Sequence, residues 1–202
     1  HQSFVDLPAL LPPNSLLVFN NTKVIPARIP LQKASGTSIE LFLLKPLEES
    51  EATQVAMQME GEVIWNCLIG NKKRWKADEL IEKKISLEGN ELVLNFRWHN
   101  REANQVRIQW EGPISFAMIL DAIGKIPLPP YMSRDVEEAD KDRYQTLFSK
   151  ELGAVAAPTA SLHFSEKIMD DLNEKGIQKT FLTLHVGAGT FMPVKEEHVE
   201  NH

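Results

Sequence analysis

The chain has 202 residues, 43% of them hydrophobic and 25% charged, and a formal net charge of −6. These proportions are typical of a soluble globular protein, and no apolar run approaches the roughly 20 residues needed to cross a bilayer. The acidic balance argues against a nonspecific nucleic-acid coat, and the single cysteine, Cys67, excludes an intrachain disulfide and a multi-cysteine zinc site. Because no secretory signal is visible at the start, we expect a cytoplasmic protein without a membrane segment.

Both ends of the sequence indicate that further segments flank it. The chain begins at His1 rather than at a methionine, and it stops at His202 shortly after the polar run at 195–198. We therefore expect this chain to be a piece of a longer protein.

Three short extended segments are predicted before residue 47. Residues 15–20 form an apolar run after the turn-prone Pro12-Pro13-Asn14, which predicts a buried strand. Residues 24–29 form a second extended piece, and residues 38–44 form a third that ends near Pro46.

The pattern between residues 60 and 112 is typical of a β meander or a small barrel. Strand-like segments at 62–69, 84–87, 91–98 and 105–110 are separated by turn residues at intervals of about ten positions. The tryptophans Trp65, Trp75, Trp98 and Trp110 all lie here, and we expect them to form the barrel core. With the strand at 38–44 included, residues 38–112 are interpreted as an inserted small all-β, barrel-like domain.

Helices alternate with strands after residue 113. Residues 115–123 place apolar side chains at helical spacing, and Gly124 follows where a helix commonly ends. The proline-rich segment 126–131 fits neither a helix nor a central strand. We interpret residues 1–37 and 113–202 as an α/β main domain that carries the insert.

Three further elements are predicted in this second part of the chain. A polar helix is expected at 140–150, and a helix capped by Ser165 is expected to run through Lys175 and end at Gly176. Residues 180–186 predict a buried strand that opens into Gly187-Ala188-Gly189-Thr190.

Four motifs in a fixed order carry more information than any single residue. They are LVFNNTKVIPAR at 17–28, GKIPLPPY at 124–131, RYQT at 143–146 leading to GAVAAPTASLHF at 153–164, and TLHVGAGTFMPV at 183–194. In this order they closely resemble the ribosyltransferase-isomerase family of queuosine biosynthesis. The resemblance extends over the whole chain and is weakest across the β insert. Ser161 departs from the family, which often has glycine there, and family members carry additional N-terminal and C-terminal segments.

The resemblance implies a definite reaction on tRNA. The exocyclic amine of 7-aminomethyl-7-deazaguanine at the tRNA wobble position attacks the ribose of S-adenosylmethionine. Adenine and methionine leave, and an epoxycyclopentanediol is formed. S-adenosylmethionine is then a cosubstrate, no cofactor or metal is needed, and we expect a monomer. The known family fold, an α/β domain with an inserted barrel, agrees with the boundaries above.

His163, His185 and Arg143 are the candidate catalytic residues. A neutral imidazole titrates near working pH, and both histidines follow runs of small or apolar residues. The alternative is that each histidine is structural and bonded to the backbone. A zinc site formed by His163, His185, His198 and His202 lacks tight ligand spacing, and we expect no metal.

Six residues are candidates for binding the cosubstrate. Asn20 and Thr22 are able to bond the ribose or simply to form a turn. The backbone at Gly187 and Gly189 allows close approach to the adenosine or the carboxylate, with Thr190 beside it, although a plain tight turn explains the same pattern. Thr159 lies in a segment of small side chains that suits a ligand-facing surface or tight internal packing.

Cations beside the motifs are candidates for contacts with tRNA phosphates. They are Lys23, Arg28, Lys125 and Arg134, and for each of them ordinary surface charge is the alternative. The basic run at 72–76 is predicted to lie on a hairpin loop of the insert. There it would touch the anticodon arm or, as we slightly favour, form a solvated turn.

Two functions of other classes remain open from the sequence. One is a noncatalytic RNA-binding protein that uses the β insert as its binding surface. The other is a conventional methyltransferase, although the strand, glycine-rich turn and helix that would open its cosubstrate site are absent from the sequence.

Overall fold

The computed structural model describes residues 1–47, 53–129, 132, 134, 136–137 and 139–191. The strands are β1 Leu16–Asn20, β2 Thr22–Val24, β3 Arg28–Gln32, β4 Ser38–Pro46, β5 Glu62–Gly70, β6 Ile81–Leu87, β7 Asn90–Asn100, β8 Gln105–Gln109, β9 Glu151–Ala154 and β10 Gln178–Leu182. The α-helices are α1 Leu7–Leu10, α2 Thr53–Gln58, α3 Phe116–Ile123, α4 Asp140–Arg143 and α5 Glu166–Glu174. Short 3₁₀ turns occur at Phe4–Asp6, Lys72–Arg74, Thr159–His163 and Ala188–Phe191.

Six strands form a nearly closed antiparallel barrel in the order β3-β4-β5-β8-β7-β6. The two edge strands, β3 and β6, lie side by side. Lys83 Nζ on β6 donates a hydrogen bond to the Pro30 carbonyl on β3 at 2.9 Å. Pro30 has no amide hydrogen, so an edge strand is the place in a sheet where it is tolerated. The lysine therefore bridges the open junction of the barrel.

Alternating side chains fill the barrel. On β7, Leu92, Leu94 and Phe96 are buried, whereas Val93 between the first two and Arg97 after the third are exposed. This is the period-2 alternation of a strand that packs on one face only. The prediction that the tryptophans form the core is confirmed for the buried Trp65, Trp75 and Trp110. Trp98 is only half-buried and packs on Trp75 with ring centroids 4.4 Å apart.

The remaining strands form two parallel pairs, β1 with β10 and β2 with β9. The strand predicted at 15–20 is present as Leu16–Asn20, whereas the strand predicted at 180–186 lies earlier, at Gln178–Leu182, and ends before residue 183. Their predicted burial is wrong. Leu16 and Val18 are each 55% exposed and Phe181 is 47% exposed, because each pair has only two strands and little packs over their outer faces.

Helix α3 follows its prediction closely. Its four apolar residues Phe116, Ile119, Leu120 and Ile123 are all buried, and Phe116 packs against Trp65 and Trp110. Gly124 ends the helix with a φ of −83°, so a left-handed conformation is not the reason for glycine. Instead, a Cβ at this position would lie 2.1 Å from the Pro26 carbonyl oxygen. The glycine permits the close approach of α3 to the chain before β3.

The polar helix predicted at 140–150 is wrong in length, because α4 covers only Asp140–Arg143. Beyond it, the Gln145 side chain accepts from the Val24 amide at 3.0 Å and donates to the Val24 carbonyl at 2.8 Å. This segment thus completes the hydrogen bonding of β2 rather than continuing its own helix. Helix α5 is confirmed, with the Ser165 hydroxyl accepting from the Ile168 amide and with Gly176 at a φ of +72°.

The barrel-like sheet and the mixture of helices and strands are confirmed, and the division into domains stays a prediction. Strand β3 belongs to the barrel although it precedes residue 38. One continuous core also joins the barrel interior to α2 and α3. Among the described helices, none has the length and apolar character to span a membrane.

Candidate active site

Asn20 extends the parallel pair β1–β10 beyond its last backbone hydrogen bond. Its side-chain amide donates to the Leu184 carbonyl at 2.8 Å, and its Oδ1 accepts from the Leu184 amide at 3.1 Å. The same oxygen accepts from the Thr22 amide at 3.1 Å. Asn20 therefore holds the segment after β10 against the start of β2, and its predicted contact with ribose stays a prediction.

Thr22 and Gly153 position the His185 imidazole. The Thr22 hydroxyl lies 2.8 Å from His185 Nδ1, and Thr22 is completely buried. The ring lies against Gly153, where a Cβ would come within 2.7 Å of Nδ1. Gly153 also has a φ of +152°, which favours glycine. The exposed His185 is therefore held from two sides by strands β2 and β9.

The direction of the hydrogen bond between Thr22 and His185 depends on the tautomer of the histidine. Thr22 Oγ1 also lies 3.5 Å from the Glu151 carbonyl, to which it is able to donate. In that arrangement Nδ1–H of the histidine donates to Thr22, and Nε2 keeps a free lone pair.

A cavity of about 400 Å³ lies between the small-residue segment after β9 and the turn after β10. The Val155 and Ala156 amides both donate to the Val186 carbonyl, at 2.8 and 3.2 Å, which joins the two segments. The cavity is lined by Pro129, Tyr144, Ala156, Ala157, Pro158, Thr159, Ala160, Val186, Thr190 and Phe191. Two predicted cosubstrate residues, Thr159 and Thr190, therefore meet at one cavity.

The glycine turn at this cavity is open on its outer side. Within the described residues, no atom lies within 4 Å of a Cβ built at Gly187 or Gly189. Thr190 closes the turn, with its hydroxyl donating to the Gly187 carbonyl at 3.1 Å. The predicted approach of the cosubstrate to this backbone stays a prediction.

The other two catalytic candidates do not contact His185. His163 ends the 3₁₀ turn that begins at Thr159, and its ring lies 5.3 Å from that of Phe4. Arg143 is exposed at the end of α4. Across the described ranges, neither forms a hydrogen bond or an ion pair with His185. Their catalytic roles stay predictions.

The candidate tRNA-binding cations occupy three places. Arg28 and Lys125 exchange backbone hydrogen bonds at 3.1 and 2.7 Å, and Arg28 pairs with Glu40 at 2.5 Å. Lys83 lies near them, and burial together with the charge of Lys125 lowers the pKa of Lys83. Lys23 lines a separate cavity of about 600 Å³ beside α3 and α4.

Arg134, the fourth of these cations, is held by a buried carboxylate. Its two Nη atoms donate to the carboxylate of Asp140 at 2.7 and 2.6 Å. Asp140 also accepts from the Glu137 amide at 2.9 Å. These hydrogen bonds, that from Arg134 first, lower the pKa of Asp140 to about 2. The pair fixes the start of α4, which places Arg143 three residues further on.

Sequence reasoning missed Gly153, Lys83 and Asp140. Gly153 lies inside a recognised motif, but only its contact with a histidine 32 residues away gives it a role. The motif residues Pro130, Tyr131 and 192–194 lie outside the described residues, as do His198 and His202 of the zinc alternative. Over the described part of the chain, no group of three metal-ligating side chains is present.

Comparison with known proteins agrees with the motifs that meet at this cavity. The family model for "queuosine biosynthesis protein" matches residues 1–202. The chain is 39% identical over 202 residues to the S-adenosylmethionine:tRNA ribosyltransferase-isomerase of Trichlorobacter lovleyi, covering 99% of this chain and 53% of that protein. It is 42% identical over 204 residues to the protein of the same name from Aquifex aeolicus, covering 100% of this chain and 54% of that protein. The chain thus spans about half the length of these curated relatives, and it belongs to the queuosine biosynthesis protein family.

Proposed function

We propose that the protein containing this chain is an S-adenosylmethionine:tRNA ribosyltransferase-isomerase. It transfers the ribosyl part of S-adenosylmethionine onto 7-aminomethyl-7-deazaguanine at the tRNA wobble position and isomerises it, releasing adenine and methionine to give epoxyqueuosine-tRNA. The observation that carries the proposal is the meeting of two segments distant in sequence around one cavity: residues 156–160 lie on one side, and Val186, Thr190 and Phe191 on the other. His185 directly precedes Val186 in the chain. The two relatives' names describe the same activity.

The size and lining of the cavity suit a cosubstrate of this kind. A volume of about 400 Å³ falls in the usual range of roughly 300–1,000 Å³ for small-molecule sites. Its small and apolar lining leaves Thr159 and Thr190 as hydroxyl partners for ribose, and the amides at Gly187 and Gly189 accommodate a carboxylate.

His185 is assigned the proton transfer that begins the reaction. The sulfonium of S-adenosylmethionine acidifies the protons on its 5′ carbon, and the Nε2 lone pair of His185 is the base that accepts one of them. His163 and Arg143 are the further catalytic candidates, for the acid–base steps that expel adenine and for charge stabilisation. Lys23, Arg28, Lys125 and Arg134 are assigned to tRNA phosphates.

The finer assignments belong to the same proposal. The parallel pairs β1–β10 and β2–β9, with the helices beside them, form an α/β domain into which the barrel is inserted. The protein acts in the cytoplasm as a monomer, and it needs no resident cofactor or metal.

Release of adenine is the measurement that tests this function. Full-length protein is incubated with S-adenosylmethionine and tRNA that carries the 7-deazaguanine precursor, with EDTA present, and tRNA with guanine at the wobble position is the control. We expect adenine and methionine to appear only with the precursor tRNA. Methyl transfer with adenosine retained would contradict the proposal, and tRNA binding without turnover would favour the noncatalytic alternative.

Alanine variants test the catalytic assignments in the same assay. His163→Ala, His185→Ala and Arg143→Ala are expected to lower turnover by roughly 10²-fold or more, the usual contribution of a positioned acid or base. His99→Ala removes an exposed histidine on the barrel and is the matched control at saturating tRNA. A variant that keeps both its rate and its thermal unfolding would remove that residue from the site.

A further inference from the structure

Three loops bring positive charge to the end of the barrel that faces away from β2 and β9. They follow β3, β5 and β7 along the chain. Lys33 Nζ donates to the Arg74 carbonyl at 2.6 Å, and the Asn71 amide donates to the Ser38 carbonyl at 3.0 Å. Lys72 and Arg101, from two different loops, both lie over the Trp98 ring, at 5.8 and 5.7 Å from its centroid.

Six cations belong to this surface, which we call the basic barrel end: Lys33, Lys72, Lys73, Arg74, Lys76 and Arg101. Three carboxylates accompany them, those of Asp78, Glu79 and Glu102. The excess of positive charge is notable in a chain whose net charge is −6. A local excess of this kind attracts polyanions in spite of an acidic total.

The carboxylate of Glu79 is already neutralised. It pairs with Lys33 at 2.8 Å and accepts from the Lys76 amide at 3.1 Å. The hydrogen bond from Lys33 holds the pKa of Glu79 below its ordinary value. The side chains of Lys73, Arg74 and Lys76 are exposed, and within the described residues they form no hydrogen bond or ion pair. The charges of Lys73 and Arg74 are therefore available to a partner, and the Lys76 ammonium also lies close enough to Glu79 to lower the pKa of that carboxylate.

The loop that carries these three cations is anchored rather than merely solvated. Trp75 is completely buried, packs on Trp98, and donates from its indole nitrogen to the Glu79 carbonyl at 2.9 Å. Asn71 begins the turn at a φ of +59°, and the Arg74 amide donates to the Asn71 carbonyl at 2.8 Å. An ordered loop loses little conformational entropy when its side chains bind a partner.

The position of the basic barrel end favours contact with a helical RNA stem. Strand β3 runs from Arg28, beside Lys125, to Gln32, just before Lys33. Five residues of strand span roughly 17 Å, so the basic barrel end lies well away from Arg28 and Lys125. A nucleobase bound in the candidate active site and phosphates bound at the basic barrel end would thus belong to different parts of one RNA molecule. Exposed lysines and arginines suit phosphates rather than base edges.

We propose that the basic barrel end docks the phosphate backbone of an RNA stem, independently of its sequence. The identity of that RNA as the tRNA substrate rests on the proposed function. Lys73, Arg74 and Lys76 make the phosphate contacts, and Trp75 and Glu79 hold the loop that presents them.

A double charge reversal, Lys73→Glu with Lys76→Glu, tests the proposal in the full-length protein. Binding of unmodified tRNA transcript is measured over a series of salt concentrations without S-adenosylmethionine. Loss of two phosphate contacts is expected to weaken binding by roughly tenfold near 0.1 M salt and to reduce the salt slope by about two. Lys167→Glu with Lys179→Glu makes the same charge change on α5 and β10. This control should leave the affinity for tRNA within about twofold of wild type and the salt slope unchanged.

The outcomes separate this proposal from the proposed function. Equal affinity and equal salt slope in the two double variants would overturn the docking surface, and so would a wild-type protein that binds no RNA. Release of adenine is measured in parallel, where Lys73→Glu with Lys76→Glu should raise the KM for tRNA and leave kcat unchanged. A wild-type protein that binds tRNA through this surface but releases no adenine would contradict only the proposed function.

Discussion

The contact between Thr22 and His185 suggests that Thr22 positions the histidine, whereas the sequence suggests that Thr22 binds the ribose. Thr22 is completely buried, and its hydroxyl lies 2.8 Å from the imidazole Nδ1. We expect a group in this position to act on the reaction through the orientation of the histidine. Gly153 supports the same orientation from the other side, because any larger residue would meet the ring.

Replacement of Thr22 by valine distinguishes positioning of the histidine from direct binding of the ribose. Thr22→Val removes one hydrogen bond of about 1–1.5 kcal/mol, and we expect kcat for adenine release to fall by roughly tenfold. Thr22→Ser keeps the hydroxyl group and should restore kcat. A rise in KM for S-adenosylmethionine with unchanged kcat would instead support direct ribose binding.

The pair formed by Arg134 and Asp140 makes part of the protein's stability dependent on pH. The pKa of Asp140 is about 2 in the folded protein, against an ordinary value of 3.8. The unfolded chain therefore binds more protons between these values, and the free energy of unfolding rises with pH there. This contribution is fully present above about pH 4 and is lost as pH falls towards 2.

Substitution of Asp140 by asparagine should remove this dependence. Urea unfolding at a series of pH values is expected to show Asp140→Asn less stable than wild type near neutral pH, with a difference that shrinks below pH 4. Asp142→Asn changes an exposed carboxylate on the same helix and serves as the control. A constant difference at all pH values would show that the ion pair is not its source.

At the scale of elements, Gly124 sets how closely α3 approaches the chain before β3. A Cβ there would lie 2.1 Å from the Pro26 carbonyl oxygen and 2.6 Å from that of Leu120. Both are backbone atoms, so the clash can be relieved only if α3 or the chain before β3 moves. Gly124→Ala is expected to lower the free energy of unfolding by roughly 1–3 kcal/mol, measured by urea denaturation. Gly189→Ala, which meets no described atom, should leave stability unchanged.

Elements whose signals are local were predictable from the sequence. The barrel strands show alternation and turn residues, and α3 and α5 carry their own apolar faces and end signals. The segment at 140–150 was not predictable, because Gln145 bonds to Val24, 121 residues away. The exposure of β1 and β10 could not be predicted either, because an apolar run does not show how many other elements of the protein will pack over it.

The candidate site divides in the same way. Thr159 and Thr190 were selected because they lie in recognised motifs. The structure brings both to one cavity, and their role in binding the cosubstrate stays a prediction. The roles of Gly153 and Lys83 depend on contacts between distant segments, with His185 and Pro30. Residue type and spacing do not indicate contacts between segments far apart in the sequence, so these contacts become visible only in the three-dimensional structure.

At the scale of the whole molecule, burial is distributed unevenly. One continuous core joins the barrel interior, α2 and α3, and includes the fully buried Trp65 and Trp75. A smaller cluster lies under α5, around Ile168, Leu172 and Ile177. All residues of the neighbouring β10 are exposed. Segments with few buried apolar contacts open at lower free energy than the core that they adjoin.

This distribution predicts two levels of stability within the 202-residue chain. Amide hydrogens of β1 and β10 are expected to exchange at least about tenfold faster than those of β5, β7 and β8. Cys67 on β5 offers a second probe, because its thiol is buried and burial raises its pKa. A thiol reagent should therefore modify Cys67 only when the barrel opens, at the rate of the β5 amides. Equal protection of β10 and β5, or rapid modification of Cys67 in the folded chain, would contradict this picture.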